Sequence, residues 1–218
     1  ETSGERSLVR TYQNLLQNRY DESLFEYYFR SELVLVDPET RRMRKTGVSG
    51  LIDDASLSPD GRYLYYSEIV RPYSYHVPWY YFPKRCVVRD LRKGDERILH
   101  ERPLQESLPV GGTFTGPRSF DWQPTAPHSL VWVEALDDGD PGKDVPFRDR
   151  VMRLDHPLEG EARPVVETVE RYSGISWSPD PGEFIIFDYS REKLWYTARF
   201  INSVSGTETT VIDRSIRD

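Results

Sequence analysis

One phrase recurs along this chain, and it restricts the fold more than any other feature. SLSPDGRYLYYSEI from Ser56 returns as DWQPTAPHSLVWVEAL from Asp121 and as SWSPDPGEFIIFDYS from Ser176, each with Leu or Trp two residues before a Pro. Self-similarity at long spacing marks repeat architectures. The prolines at 59, 124 and 179 lie 65 and then 55 residues apart, so the overall period is loose. The internal spacing is tighter: Glu68, Glu134 and Asp188 follow Leu57, Trp122 and Trp177 by 11, 12 and 11 residues.

Each copy predicts a hairpin. Pro fixes φ, Asp bonds its own backbone and Gly tolerates positive φ, which together turn one strand tightly into the next. Two more strand-like runs follow every hairpin: RCVVRDL and ERILHE, then RDRVMRLD and ARPVVETV, then KLWYTARF and TETTVID. Four short strands per unit is the pattern of a β-propeller blade. The second strands YLYYSEI, SLVWVEAL and EFIIFDY are apolar on both faces, whereas a sheet wetted on one side alternates. Blade stacked on blade covers both faces and leaves only short, protected edges.

Units are expected to begin near Ala55, Arg118 and Tyr172. Upstream, LFEYYFRSELVLVD and RRMRKTG around the DPET turn read as the last two strands of a preceding blade. The fold class is therefore all-β, a partial β-propeller of about three and a half four-stranded antiparallel blades. Leu8, Tyr12, Leu15 and Leu16 recur with helical spacing and predict a short N-terminal helix, giving a helix and linker over 1–23 and a partial propeller over 24–218. A wheel usually closes with four to eight blades, so the chain reads as an excised segment with apolar blade faces exposed at its ends. Such edges leave self-association open.

Net charge of −7 without a basic stripe argues against nucleic acid. No apolar run approaches the roughly 20 residues of a membrane-spanning helix. Cys86, the single cysteine, excludes an internal disulfide and fits a reducing or an oxidising compartment, with the bacterial periplasm or another extracytoplasmic space favoured.

No catalytic set can be assembled from the residues. Gly-x-Ser-x-Gly is missing, and GVSG and RYSG lack the flanking glycine of the strained nucleophile turn. His76, His100, His128 and His156 show no metal-ligand spacing, so no metal or other cofactor is expected. LDDGDPGKD, residues 136–144, clusters carboxylates but lacks the order of a calcium loop and reads as a solvated turn. GGTFTGPR has no Lys-Ser or Lys-Thr after it and reads as a connector between blades.

The strings TYQNLLQNRYDESLFEYY, LSPDGRYLYYSEIVRPYSYHVP, GPRSFDWQP, LVWVEALDDGDP, RDRVMRLDHPL and ERYSGISWS resemble the propeller of the glutamyl endopeptidases, a branch of the prolyl oligopeptidase family of serine peptidases. RPYSYHVP and VWVEALDDGDP are the most specific of these, because SPDG occurs in many propellers. The resemblance implies a propeller that filters access to an α/β-hydrolase domain carrying a Ser-Asp-His triad. None of those catalytic residues maps onto this chain, so the implied partners are a peptide substrate and a hydrolase domain elsewhere in the full-length protein. A propeller scaffold that binds proteins or peptides with no peptidase attached is the alternative.

In up-and-down blades the second-to-third loops and the blade-to-blade connectors emerge on one side. That side gathers Arg71, Arg118 and Arg171 with Tyr73, Tyr75 and Tyr172, forked cations beside rigid rings that suit carboxylates or a docking domain. The plainer expectation is that each arginine pairs locally with an acid such as Glu68, Glu134 or Glu170 and braces the loops.

Overall fold

A computed structural model of the chain describes residues 12–180 and 182–217. The chain is all-β, a partial β-propeller with one short helix among the described residues. Helix α1, Arg19–Phe29, leads into a two-stranded half blade of β1, Ser31–Val36, and β2, Met43–Gly50. Three four-stranded antiparallel sheets follow. The first runs in order β3 (Ile52–Leu57), β4 (Tyr63–Ile69), β5 (Lys84–Asp90) and β6 (Glu96–Arg102). The second holds β7 (Arg118–Trp122), β8 (Leu130–Ala135), β9 (Asp149–Leu154) and β10 (Arg163–Thr168). The third holds β11 (Arg171–Trp177), β12 (Glu183–Ser190), β13 (Trp195–Asn202) and β14 (Thr207–Ser215). None of the described helices is long and apolar enough to cross a membrane.

The repeat occupies the same place in each sheet. Leu57, Trp122 and Trp177 close the first strand and pair with Leu64, Leu130 and Phe184 of the second. Four residues further on come Glu68, Glu134 and Asp188. Every first strand also carries a register shift against its partner, at Ile52/Asp54, Arg118/Asp121 and Tyr172/Gly174. Such bulges bend a strand and sharpen its twist. In the first hairpin Gly61, at φ +67°, donates its N–H to the Ser58 carbonyl at 2.8 Å, the tight turn that Pro-Asp-Gly requires.

By contacts the described residues form two compact units. One runs to Leu57 and resumes over Arg62–Ser107; the other takes Ser58–Gly61 and continues from Leu108. In the first unit Val48 of β2, Leu64 and Tyr66 of β4, and Val87 of β5 make a buried cluster, with Leu33 and Ile52 against it. Half blade and first blade thus share a core. In the second unit Val131, Val133 and Val151 of one blade pack with Phe184, Ile186 and Ile201 of the next. Strands β4 and β8 are buried on both faces, whereas β12 alternates, its Ile185, Phe187 and Tyr189 side only half-buried. Val34, Val36 and Met43 of the half blade and Val211 of β14 are exposed.

The helix departs from expectation. Of the residues that carried the helical spacing, Leu8 lies outside the described residues, and Tyr12, Leu15 and Leu16 precede α1 in irregular backbone. The segment LFEYYF, read as strand, is helical instead. The cause is a strong start signal: Asn18 Oδ1 accepts the N–H groups of Tyr20 at 2.9 Å and Asp21 at 3.1 Å, and Asp21 and Glu22 place negative charge in the first turn.

Candidate functional site

Arg71, Tyr73 and Tyr75 stand in the loop between β4 and β5 and converge on helix α1. Arg71 Nη1 donates to Glu22 at 2.5 Å and its Nε to Glu26 at 2.8 Å. The Tyr73 hydroxyl donates to Glu26 at 2.8 Å, and that of Tyr75 to Glu22 at 2.7 Å. These hydroxyls, followed by the guanidinium, hold both carboxyls below the ordinary glutamate range. The guanidinium carbon lies 4.8 Å from the Tyr73 ring centroid, a cation over a π face. Tyr73 in turn stacks on the buried Phe82, centroids 5.3 Å apart. Phe25, from the helix, meets Tyr73 and Phe82 edge-on at 5.5 and 6.0 Å.

Arg118, Arg171 and Tyr172 belong to strands rather than loops: Arg118 opens β7, and Arg171 and Tyr172 open β11. They meet around Asp149, whose side chain is fully buried. Asp149 accepts from Arg118 Nη2 at 2.7 Å, from Arg171 Nη1 at 2.9 Å and from the Tyr172 N–H at 2.8 Å. A second buried carboxylate, Asp137, takes Arg171 Nη2, Arg148 Nη1 at 2.9 Å and the Gly139 N–H at 3.0 Å. Burial pushes the Asp137 carboxyl up, but its bonds to Arg171 and Arg148 outweigh that and leave it below the usual range. Burial, then the Asp121 charge, pushes the Tyr172 phenol up to about 12. The connector residue Thr113 donates its N–H to the Gly139 carbonyl at 3.0 Å, so connector and second-to-third loop do meet in this unit.

Local pairing is what the structure gives these arginines, with other acids than expected. Glu68 pairs with Arg85 and Glu170 with Lys193 and Arg148, while Glu134 accepts from Trp132 Nε1. Asp137 corrects the reading of LDDGDPGKD as wholly solvated: a carboxylate directly after a buried run, with arginines at the far end of its loop, was the available signal. Glu26 was missed because its segment read as strand, and Glu22 because it stood at the end of the expected helix and linker. Chemically, both clusters hold carboxylates with forked guanidiniums. The Asp149 cluster is sealed, whereas Arg71 keeps 53% of its side-chain surface exposed.

This arrangement can be set beside known proteins. A probable chloroplastic glutamyl endopeptidase of Oryza sativa subsp. japonica is 36% identical over 195 residues, 88% of this chain. Its counterpart in Arabidopsis thaliana is 35% identical over 217 residues, 96% of the chain. The chain is homologous to a segment of the glutamyl endopeptidases. It spans only 20% and 22% of the length of these two relatives. No family model matches. Among solved structures, the β-propeller domain of the Trilobed protease from Pyrococcus furiosus overlays 76% of the chain on 43% of its own, at a TM-score of 0.47 and 11% identity.

Proposed function

We propose that this chain is the non-catalytic propeller part of a glutamyl endopeptidase-like serine peptidase of the prolyl oligopeptidase family. In this reading it gates or orients peptide substrates for an α/β-hydrolase domain of the same full-length protein. The observation that carries the proposal is the 35% identity over 96% of the chain with a relative named as a probable glutamyl endopeptidase. The sequence adds support, since none of its 218 residues supplies a nucleophile elbow. The half-exposed Arg71 in the loop between β4 and β5 suits a selective role for acidic peptides, because a forked guanidinium recognises a carboxylate by geometry as well as charge.

The test begins with the gene that encodes this chain. Its full product is expressed and assayed on matched peptides that carry Glu or Gln at the cleavage position. The expected product cleaves after Glu and loses activity to a serine-directed phosphonate. A product that binds peptides but never hydrolyses them overturns the proposal in favour of a scaffold.

A further inference from the structure

The Arg71 loop carries the features of a receptor, and helix α1 those of an occupant. Three groups of the loop, the Arg71 guanidinium and the Tyr73 and Tyr75 hydroxyls, make four hydrogen bonds to two carboxylates one helical turn apart. The loop has its own supports: Tyr73 stacks on buried Phe82, Ser74 Oγ donates to Glu106, the His76 N–H bonds back to Ser74 Oγ at 2.9 Å, and Val70 N–H bonds the Pro83 carbonyl at 2.9 Å. The helix is held far more lightly. None of its residues is buried, and Tyr20, Tyr27, Tyr28 and Phe29 are each at least 64% exposed. Its attachment rests on Glu22, Glu26 and the edge of Phe25. Arg71 and Glu26 keep 53% and 41% of their side-chain surface exposed, while Glu22 keeps 13%; ion pairs whose cation stays this open to solvent contribute little net stability, so an occupant held by them can exchange.

We infer that Arg71, Tyr73 and Tyr75 form a binding site for acidic peptide segments, which helix α1 fills with Glu22 and Glu26. The ligand it selects has two carboxylates spaced as Glu-x-x-x-Glu, with an apolar residue between them to meet Tyr73 and Phe82 as Phe25 does. The role of the site in handling substrate rests on the peptidase reading above, but its binding chemistry belongs to this loop alone. A tethered occupant lowers apparent affinity in proportion to the fraction of sites it fills.

The experiment uses the 218-residue chain and a fluorescent, acetylated and amidated copy of residues 22–26, with a control peptide carrying Gln at both acidic positions. Anisotropy titrations compare the wild-type chain with the Glu22→Gln/Glu26→Gln double variant. The double variant should bind the acidic peptide at least about tenfold tighter than wild type and discriminate against the Gln peptide. Adding Arg71→Gln, or separately Tyr73→Phe with Tyr75→Phe, should remove the gain while the thermal transition of the blades persists. The tyrosine pair keeps the test decisive if the arginine variant disturbs the loop. Equal weak binding by wild type and double variant overturns the inference, as does equal affinity for both peptides or gain that survives both sets of loop changes. Because the readout is binding, failure here leaves the peptidase proposal standing, and failed hydrolysis by the full product leaves this site standing.

Discussion

Asp149 has no exposed side-chain surface, yet it faces two guanidiniums and a backbone N–H at 2.7–2.9 Å. Removing a partner from a buried ion pair leaves an uncompensated charge, which costs about 3–5 kcal/mol. Asp149→Asn should therefore lower the unfolding free energy obtained from urea titration by about 3–5 kcal/mol, and an unchanged value would show that solvent already screens the cluster. The sequence marked Arg118 and Arg171 as notable but hid their partner, because Asp149 lies within an alternating strand, RDRVMRLD, where an acid reads as the solvent face. At the Arg71 site the sign of the pH effect follows from the lowered carboxyls. Facing Glu22 and Glu26 are the Tyr75 and Tyr73 hydroxyls and Arg71, with Arg19 adding its charge to Glu22. A carboxyl whose folded pKa lies below its unfolded one stabilises the folded form above the unfolded value, 4.5 here, and loses that contribution as pH falls through the lowered value. Amide chemical shifts of α1 should thus hold steady from neutral pH to about 4.5 and move below it, and Arg71→Gln should move the onset upward.

Helix α1 shows how an element can be missed when propensity and capping disagree. Leu24–Phe29 contains four aromatics that favour strands on a half-buried surface, and the spacing of Leu8, Tyr12, Leu15 and Leu16 drew the helix upstream. Asn18 decides otherwise, since its side chain satisfies two of the N–H groups a helix start leaves orphaned. The blades were legible because their signal is repeated, and errors at one strand are corrected by the other two; α1 occurs once. Asn18→Ala should destabilise the helix by about 1 kcal/mol. Hydrogen exchange would register this as faster exchange in the amides of residues 22–29, with those of β4 and β8 unaffected. Acceleration spread equally over the blades would mean that α1 is integral to the first core rather than attached to it.

For the molecule as a whole, the question is whether this chain performs any chemistry of its own. Among the described residues, the constellation that most invites it joins Ser58, Asp60 and His128. Ser58 Oγ donates to Asp60 Oδ1 at 2.6 Å, and His128 Nδ1 lies 3.0 Å from Asp60 Oδ2, with the His156 ring 4.3 Å from that of His128. All three members of a hydrolytic triad are present, but in the wrong order. Activation of a serine needs the imidazole between hydroxyl and carboxylate, so that the ring takes the hydroxyl proton and the carboxylate steadies the resulting charge. Here the carboxylate occupies the middle and accepts from the hydroxyl directly, and carboxylates as a class are too weak as bases to turn a serine hydroxyl into an alkoxide. The arrangement instead ties down a turn, with Ser58 also accepting the Gly61 N–H on its carbonyl at 2.8 Å. The purified chain should accordingly take no label from a fluorophosphonate probe and release no product from Glu-containing peptides or aryl esters. Label that appears on the wild-type chain and vanishes in Ser58→Ala would place a working nucleophile in this propeller and overturn the non-catalytic reading; label absent in both forms agrees with it.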